Sequence, residues 1–288
     1  MLLLGYGFAA RAFAPRLLAQ GWAVRATARD PAVLEAARAE GIAAFAYEAG
    51  AGLPPGSLAG VDHLLSSIAP GAAGDPAIGD VGASLGADGA RLAWIGYLSA
   101  TSVYGDAKGG WVDETSEPKP SDARGRQRLL GERQWLALGK ERGAAVQIFR
   151  LAGIYGPGRN ALDQARAGQK QRIDKPGHLF SRIHVEDIAA VLLASIARPR
   201  AGAIYNLADD EPATSADVSA HAHKLLGLTV PPAIPYAQAE AKLSPMARSF
   251  YADNKRIANR LIKTELGVSL RYPNYRAGLE AILKNTPS

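Results

Sequence analysis

The chain opens Met1-Leu2-Leu3-Leu4-Gly5-Tyr6-Gly7-Phe8-Ala9-Ala10. Met1–Leu4 is an unbroken apolar run, the pattern of a short strand buried on both faces. Beyond the glycines, Ala10, Phe13, Ala14, Leu17 and Leu18 recur at helical spacing, which predicts a helix over Ala9–Gln20. The turn between them is G-x-G-x-x-A. Gly5 permits the tight turn, and Gly7 lets the backbone approach a pyrophosphate with no Cβ in the way. Ala10 is small enough for the helix to lie close to the sheet, and the helix N-terminus offers amide donors to the anion. A tight strand–helix turn without a ligand would use the same glycines, but the strand-turn-helix context favours a dinucleotide site. Pro15 removes one hydrogen bond from the helix and should bend it.

The same alternation continues outward from this turn. Trp22–Ala28, Ile42–Tyr47, Val61–Ile68, Arg91–Leu98 and Ala145–Leu151 read as strands. Pro31–Glu40 reads as a helix with proline in its first turn. A weak helix is expected within Pro70–Gly89, and Ser121 is expected to cap a long helix ending near Arg142. This order argues for an α/β protein, a Rossmann-type doubly wound parallel sheet with helices on both faces. Further on, Gly156-Pro157-Gly158 opens an irregular basic segment, His184–Ala197 and Ala216–Leu226 read as helices, Ala203–Leu207 as a strand, and Asn254–Glu265 as a helix. The expected division is a nucleotide-binding core over residues 1–155 and a small C-terminal substrate-binding cap over 156–288. Elements at about 183–208 would return to the core.

The end of the second strand bears on which dinucleotide is bound. An acidic residue there would grip the ribose 2′-hydroxyl of NAD. Here Thr27 occupies that place and Arg29 follows, and a planar guanidinium suits a 2′-phosphate. NADP is therefore the expected cofactor, with NAD as the alternative. Asp30 is either a ribose ligand or the cap of the helix starting at Pro31. Ser66, Ile68 and Ala69, at the end of the fourth strand, are expected beside the adenosine and phosphates.

Composition narrows the classes. Of 288 residues, 48% are hydrophobic and 21% charged, enough for a sizeable core. No apolar run approaches the roughly 18 residues a membrane span needs, and Met1 is followed by neither a basic n-region nor a cleavage site. There are no cysteines, which excludes disulfides, thiolate metal sites and cysteine nucleophiles and fits a reducing, cytoplasmic setting. The net charge of +6 is dispersed rather than gathered with aromatics, so nucleic-acid binding is not expected.

Five segments in order carry a more specific signal: Gly5–Ala10; Tyr97-Leu98-Ser99-Ala100-Thr101-Ser102-Val103-Tyr104-Gly105; Arg150-Leu151-Ala152-Gly153-Ile154-Tyr155-Gly156-Pro157-Gly158-Arg159; Ile183-His184-Val185-Glu186-Asp187-Ile188-Ala189; and Tyr205-Asn206-Leu207-Ala208-Asp209. With these the chain resembles the extended short-chain dehydrogenase/reductase family of NAD(P)-dependent epimerases, dehydratases and reductases. The resemblance implies a sheet of about seven strands, a nicotinamide dinucleotide, an anionic small-molecule substrate such as a nucleotide sugar, and a homodimer formed through the helix from Ser121. It places Ile154 beside the nicotinamide and makes Tyr104 a structural or site-lining residue.

The family's chemistry uses a tyrosine as acid/base, a lysine one helical turn later, and a serine or threonine on the loop after strand five. Here those positions fall on Arg124, Arg128 and Ala100, with Ser99 and Thr101 adjacent. Arginine exchanges no proton at physiological pH. The candidate catalytic residues are thus Thr101 for a substrate oxygen, Arg124 for a carboxylate or phosphate, and Arg128 for the nicotinamide ribose. The bland alternative is an exposed helix face on which Arg124, Arg126, Arg128 and Arg133 pair with Glu132 and Glu141. Arg159, Arg166, Lys170, Arg172, Lys175 and Arg182 form either an anion clasp or a solvated loop. The leading expectation is an oxidoreductase or epimerase-like enzyme; the rival is a non-catalytic dinucleotide-binding redox sensor.

Overall fold

The computed structural model describes residues 1–88 and 91–285. Seven strands form one all-parallel sheet: β1 (Leu2–Leu4), β2 (Arg25–Ala28), β3 (Ala43–Ala46), β4 (His63–Ser66), β5 (Trp94–Ala100), β6 (Ala145–Leu151) and β7 (Ala203–Leu207). Their spatial order is β7-β6-β5-β4-β1-β2-β3. Chain order reverses beside β1, so a crevice opens between the C-terminal ends of β1 and β4, the place where such sheets take ligands.

Successive strand residues serve opposite faces, as the period of two requires. Leu3, Leu65, Trp94, Leu98, Phe149 and Leu151 pack under α1 (Phe8–Ala19), α2 (Pro31–Ala39) and α5 (Val185–Ala197). Leu2, Leu4, Leu64, Ile95, Tyr97, Val146 and Ile148 pack under α3 (Ala77–Asp88) and α4 (Ala123–Arg142). Each such buried side chain stabilises the fold by roughly 1.5–3 kcal/mol, which makes the two-faced apolar runs the main determinant of the sheet. A separate apolar cluster joins Tyr155, Leu162, Val218, Ala222, Tyr275, Leu279 and Ile282 in the C-terminal part.

The sheet is the Rossmann-type doubly wound architecture read from the sequence, and β6 and β7 have the expected limits. Other features needed correction. Asp122, not Ser121, caps α4: its carboxylate accepts from the Gly125 N–H at 2.7 Å, while the Ser121 hydroxyl donates to Asp253. The expected helix over Asn254–Glu265 is a short strand, Arg256–Ile257, followed by a helical turn, Arg260–Thr264. Asn254 prevents the helix from starting there. Its amide donates to the Gly177 carbonyl and accepts from the Leu179 N–H, and its backbone carbonyl receives Ala107 and Gly109. The weak helix expected within Pro70–Gly89 is α3, and Gly89 itself lies outside the described residues. Pro15 sits within α1 without ending it.

Candidate cofactor and active site

The glycine turn is pinned from two sides. Gly5, with φ +86°, donates its N–H to the Thr27 hydroxyl at 3.0 Å, and Tyr6 donates to the Thr27 carbonyl at 2.7 Å. From β4 the Ser67 hydroxyl donates to the Gly5 carbonyl at 2.6 Å. A Cβ at Gly5 would lie 2.9 Å from Ser67 Oγ and 3.2 Å from Ile68 Cγ1, so glycine is required there by space as well as by φ. Gly7 differs. Its φ of −89° suits any residue, and a Cβ on it would meet nothing within 4 Å. No packing demand explains glycine at 7. Gly7 is exposed and borders the crevice at the N-terminus of α1.

The helix begins there with free donors. Its first internal bond runs from the Arg11 N–H to the Gly7 carbonyl, 2.9 Å. The amides of Phe8, Ala9 and Ala10 precede it and have no carbonyl within the helix to receive them. Gly7 offers no capping side chain. Exposed backbone at Gly7 and uncapped amides at a helix N-terminus fit a pyrophosphate. Ala9 and Ala10 are buried against the sheet, so they contribute backbone only. The Tyr6 ring is turned away, its hydroxyl donating to Glu40 at 2.9 Å, and Arg11 Nε donates to the Tyr6 carbonyl.

Thr27, read as the ribose-facing position, is fully buried under the turn, and its hydroxyl serves Gly5. Asp30 is the cap of α2, accepting from the Ala32 N–H at 2.9 Å. Arg29 between them is exposed and has no partner among the described residues, leaving its guanidinium for an anion. Ser66 is buried with its hydroxyl on Asp75, 3.1 Å away, and faces α4 rather than the crevice. The neighbouring Ser67 clamps the turn, a residue the sequence reading passed over. Ile68 and exposed Ala69 remain at the lip of the crevice. Ile154 lies half-buried in the short strand Gly153–Tyr155, which pairs with Arg182–His184 beyond the end of β6.

At the end of β5, Thr101 starts a single 3₁₀ turn, Thr101–Tyr104, and is half-buried. The start of α4 is pressed against this turn: a Cβ at Gly125 would lie 2.6 Å from the Ser102 carbonyl oxygen. Arg124 is thus presented beside the turn, exposed. Arg128 points back to the sheet edge, Nη1 donating to the Leu98 carbonyl at 2.7 Å. The two arginines therefore do different things. Glu132 belongs to neither: it is buried, takes Arg150 as its partner and receives the Ser99 hydroxyl at 2.5 Å. Glu141 pairs with Arg142. Arg124, Arg126 and Arg133 are exposed, as a solvated helix face would have them, but neither Glu132 nor Glu141 pairs with them.

Tyr104 is the nearest tyrosine in sequence to Thr101. Its hydroxyl donates to Asn206 Oδ1 at 2.8 Å, its ring lies under the Arg150 guanidinium, and burial pushes its phenol above the usual range. Its hydroxyl and its ring are both engaged in packing. Asp187 takes the N–H groups of Arg271 and Tyr272, and His184 caps α5, so that motif anchors a helix. Half of the basic segment is spent on backbone: Arg172 on the Pro231 carbonyl, Lys175 on Tyr251, Arg182 on Phe180 and Ala213. Arg166 lies 3.6 Å from Asp163. Arg159 and Lys170 are exposed and have no hydrogen-bond or ion-pair partner among the described residues.

A reversal-point crevice, a pinned glycine turn and uncapped helix amides are features of a Rossmann-type fold. The model of the NAD-dependent epimerase/dehydratase family matches residues 88–208. Protein YeeZ of Escherichia coli K12 is 33% identical over 186 residues, 64% of this chain, and the match spans only 60% of that relative's length. A conserved protein of unknown function from Silicibacter pomeroyi is 49% identical, covers 100% of this chain and 99% of its own, and superimposes with a TM-score of 0.91. MoeE5, solved with UDP-glucose and NAD, is 19% identical over 98% of this chain and 97% of its own, with a TM-score of 0.79, a likeness of fold. Residues 88–208 thus resemble the NAD-dependent epimerase/dehydratase family, and the whole chain shares the fold of the solved structures above. Among the described residues no helix is long and apolar enough to cross a membrane.

Proposed function

We propose that the protein is an NADP(H)-dependent oxidoreductase of this family acting on an anionic small molecule. The observation that carries the reading is Gly7, a glycine demanded by neither φ nor packing, lying at the N-terminus of α1. The backbone of Gly5–Ala10 would hold the pyrophosphate, Ile68 and Ala69 the adenosine, Arg29 the 2′-phosphate and Ile154 the nicotinamide side. A bound nicotinamide supplies hydride transfer. The chain's part is to orient the substrate: Thr101 offers a hydroxyl to its reacting oxygen, and Arg124 offers a planar cation to its carboxylate or phosphate. The C-terminal part, residues 156–288, would cap that substrate. With Arg172, Lys175 and Arg182 engaged by carbonyls, a compact anion suits the site better than a long diphosphate.

A second reading rests on Ala100, Arg124 and Arg128 standing at the family's three catalytic positions. Arg128 is tied to the Leu98 carbonyl, and Tyr104, in the same turn as Thr101, has its hydroxyl on Asn206. In that reading the protein binds the dinucleotide as a redox sensor and turns nothing over. Fluorescence titration with NADPH and NADH tests the shared claim, and absorbance at the nicotinamide band against small carboxylates, phosphates and nucleotide sugars separates the two. Turnover lost in Arg124→Ala supports the enzyme; binding with no turnover on any of them supports the sensor. Failure of both nucleotides to bind contradicts both readings.

A further inference from the structure

The reading above gives Arg159 no ligand, and the Gly156-Pro157-Gly158-Arg159 turn that carries it is closely held. Gly156 and Arg159 exchange both backbone hydrogen bonds, at 3.1 and 3.0 Å, closing a turn in which Gly158 has φ +74°. Asn160 braces it, its side-chain N–H donating to the Gly156 carbonyl at 2.9 Å. The turn is seated on the first residue of α1: a Cβ at Gly156 would lie 3.2 Å from Phe8 Cζ and 2.6 Å from Val185 Cγ1. Glycine is thus required for the C-terminal part to approach the start of α1 this closely. The contact presents Arg159, whose guanidinium carbon lies 5.6 Å from the centre of the Phe8 ring and is otherwise unpartnered among the described residues.

We propose that Arg159 is a pyrophosphate ligand, carried by the C-terminal part across to the uncapped amides of α1. The inference rests on the dinucleotide reading and adds a residue to it. Phe8 follows Gly7 directly, so a cation held over its ring stands one residue from the position at which the anion would sit. An exposed cation–π contact is weaker than charge-assisted hydrogen bonds from a guanidinium to phosphate. The ring therefore parks Arg159 close by without outcompeting the phosphate. Because the same turn begins the segment that follows Ile154, cofactor binding would also fix the C-terminal part against the core.

Calorimetric titration of the full chain and of Arg159→Ala and Arg159→Lys with NADPH, NADH and 2′-AMP tests this. Arg159→Ala is expected to weaken NADPH and NADH alike by about tenfold or more, with Arg159→Lys between it and the parent. 2′-AMP, which has no bridging pyrophosphate, should bind the variant and the parent equally. Unchanged affinity for both dinucleotides in Arg159→Ala overturns the proposal, as does an equal loss for 2′-AMP. Absence of dinucleotide binding by the unaltered chain would instead remove the reading on which the proposal rests.

Discussion

Glu132 of α4 and Arg150 of β6 meet in a two-pronged ion pair inside the molecule, Nε to Oε1 at 3.0 Å and Nη2 to Oε2 at 2.7 Å. Both residues are 2% exposed. The pair also holds the Ser99 hydroxyl, so it ties α4, β5 and β6 together directly behind the turn that carries Thr101. Removing one partner leaves a buried charge uncompensated. Arg150→Met is expected to cost about 3–5 kcal/mol in urea unfolding. The double change Glu132→Leu with Arg150→Met should recover much of that loss. Equal stability of the single variant and the parent would contradict this account of the pair.

The glycine turn should fail in two separable ways. Thr27→Val leaves the Gly5 N–H without its acceptor in the interior, a cost of about 1–3 kcal/mol. Gly5→Ala forces a Cβ toward Ser67 at positive φ and should cost at least 1 kcal/mol. Thermal unfolding reads both, and wild-type stability in both would mean the turn is not held as described.

Arg29 is expected to distinguish the two nicotinamide cofactors. Arg29→Ala should weaken NADPH by about tenfold or more while leaving NADH unchanged, since only NADPH carries the 2′-phosphate. A parallel loss for both nucleotides, or no loss for NADPH, would place the 2′-phosphate elsewhere.

Two buried groups give stability opposite dependences on pH. Burial holds His184 down to about 4 from its ordinary 6.5. Between those values the unfolded chain binds a proton that the folded one does not, so this contribution falls as pH drops from 6.5 to 4. His184→Asn, which keeps a capping side chain, should flatten that limb. Burial pushes Asp209 up to about 8 from 3.8, with Arg182 opposing the rise. There the folded chain binds the extra proton, so stability falls as pH rises from 3.8 to 8. Asp209→Asn should therefore gain melting temperature over the parent increasingly toward pH 8. A gain independent of pH would contradict the assignment.

Much of the architecture was legible because apolar periodicity records burial directly. The all-apolar β1 reads as a strand, and the glycines after it read as a turn. What escaped depended on distant partners. Nothing adjacent in sequence marks Ser67, rather than Ser66, as the clamp on Gly5; the two serines of one strand end simply face opposite sides of the sheet. Glu132 looked like surface charge because its counter-ion lies 18 residues away on a strand. Asn254 sits before a helix-like stretch, yet its bonds to Gly177 and Leu179 stop the helix. The basic segment read equally as a clasp or a solvated loop, because charge is visible in sequence and carbonyl partners are not.

The central claim is that backbone at the start of α1 receives a dinucleotide pyrophosphate, and Gly7→Val tests it most directly, since a side chain there meets no protein atom within 4 Å. Calorimetric titration of the parent and of this variant with NADPH should show saturable heat for the parent and none for the variant, whose melting temperature without ligand should match the parent's. Equal binding by both, or no binding by the parent to either NADPH or NADH, would contradict the account.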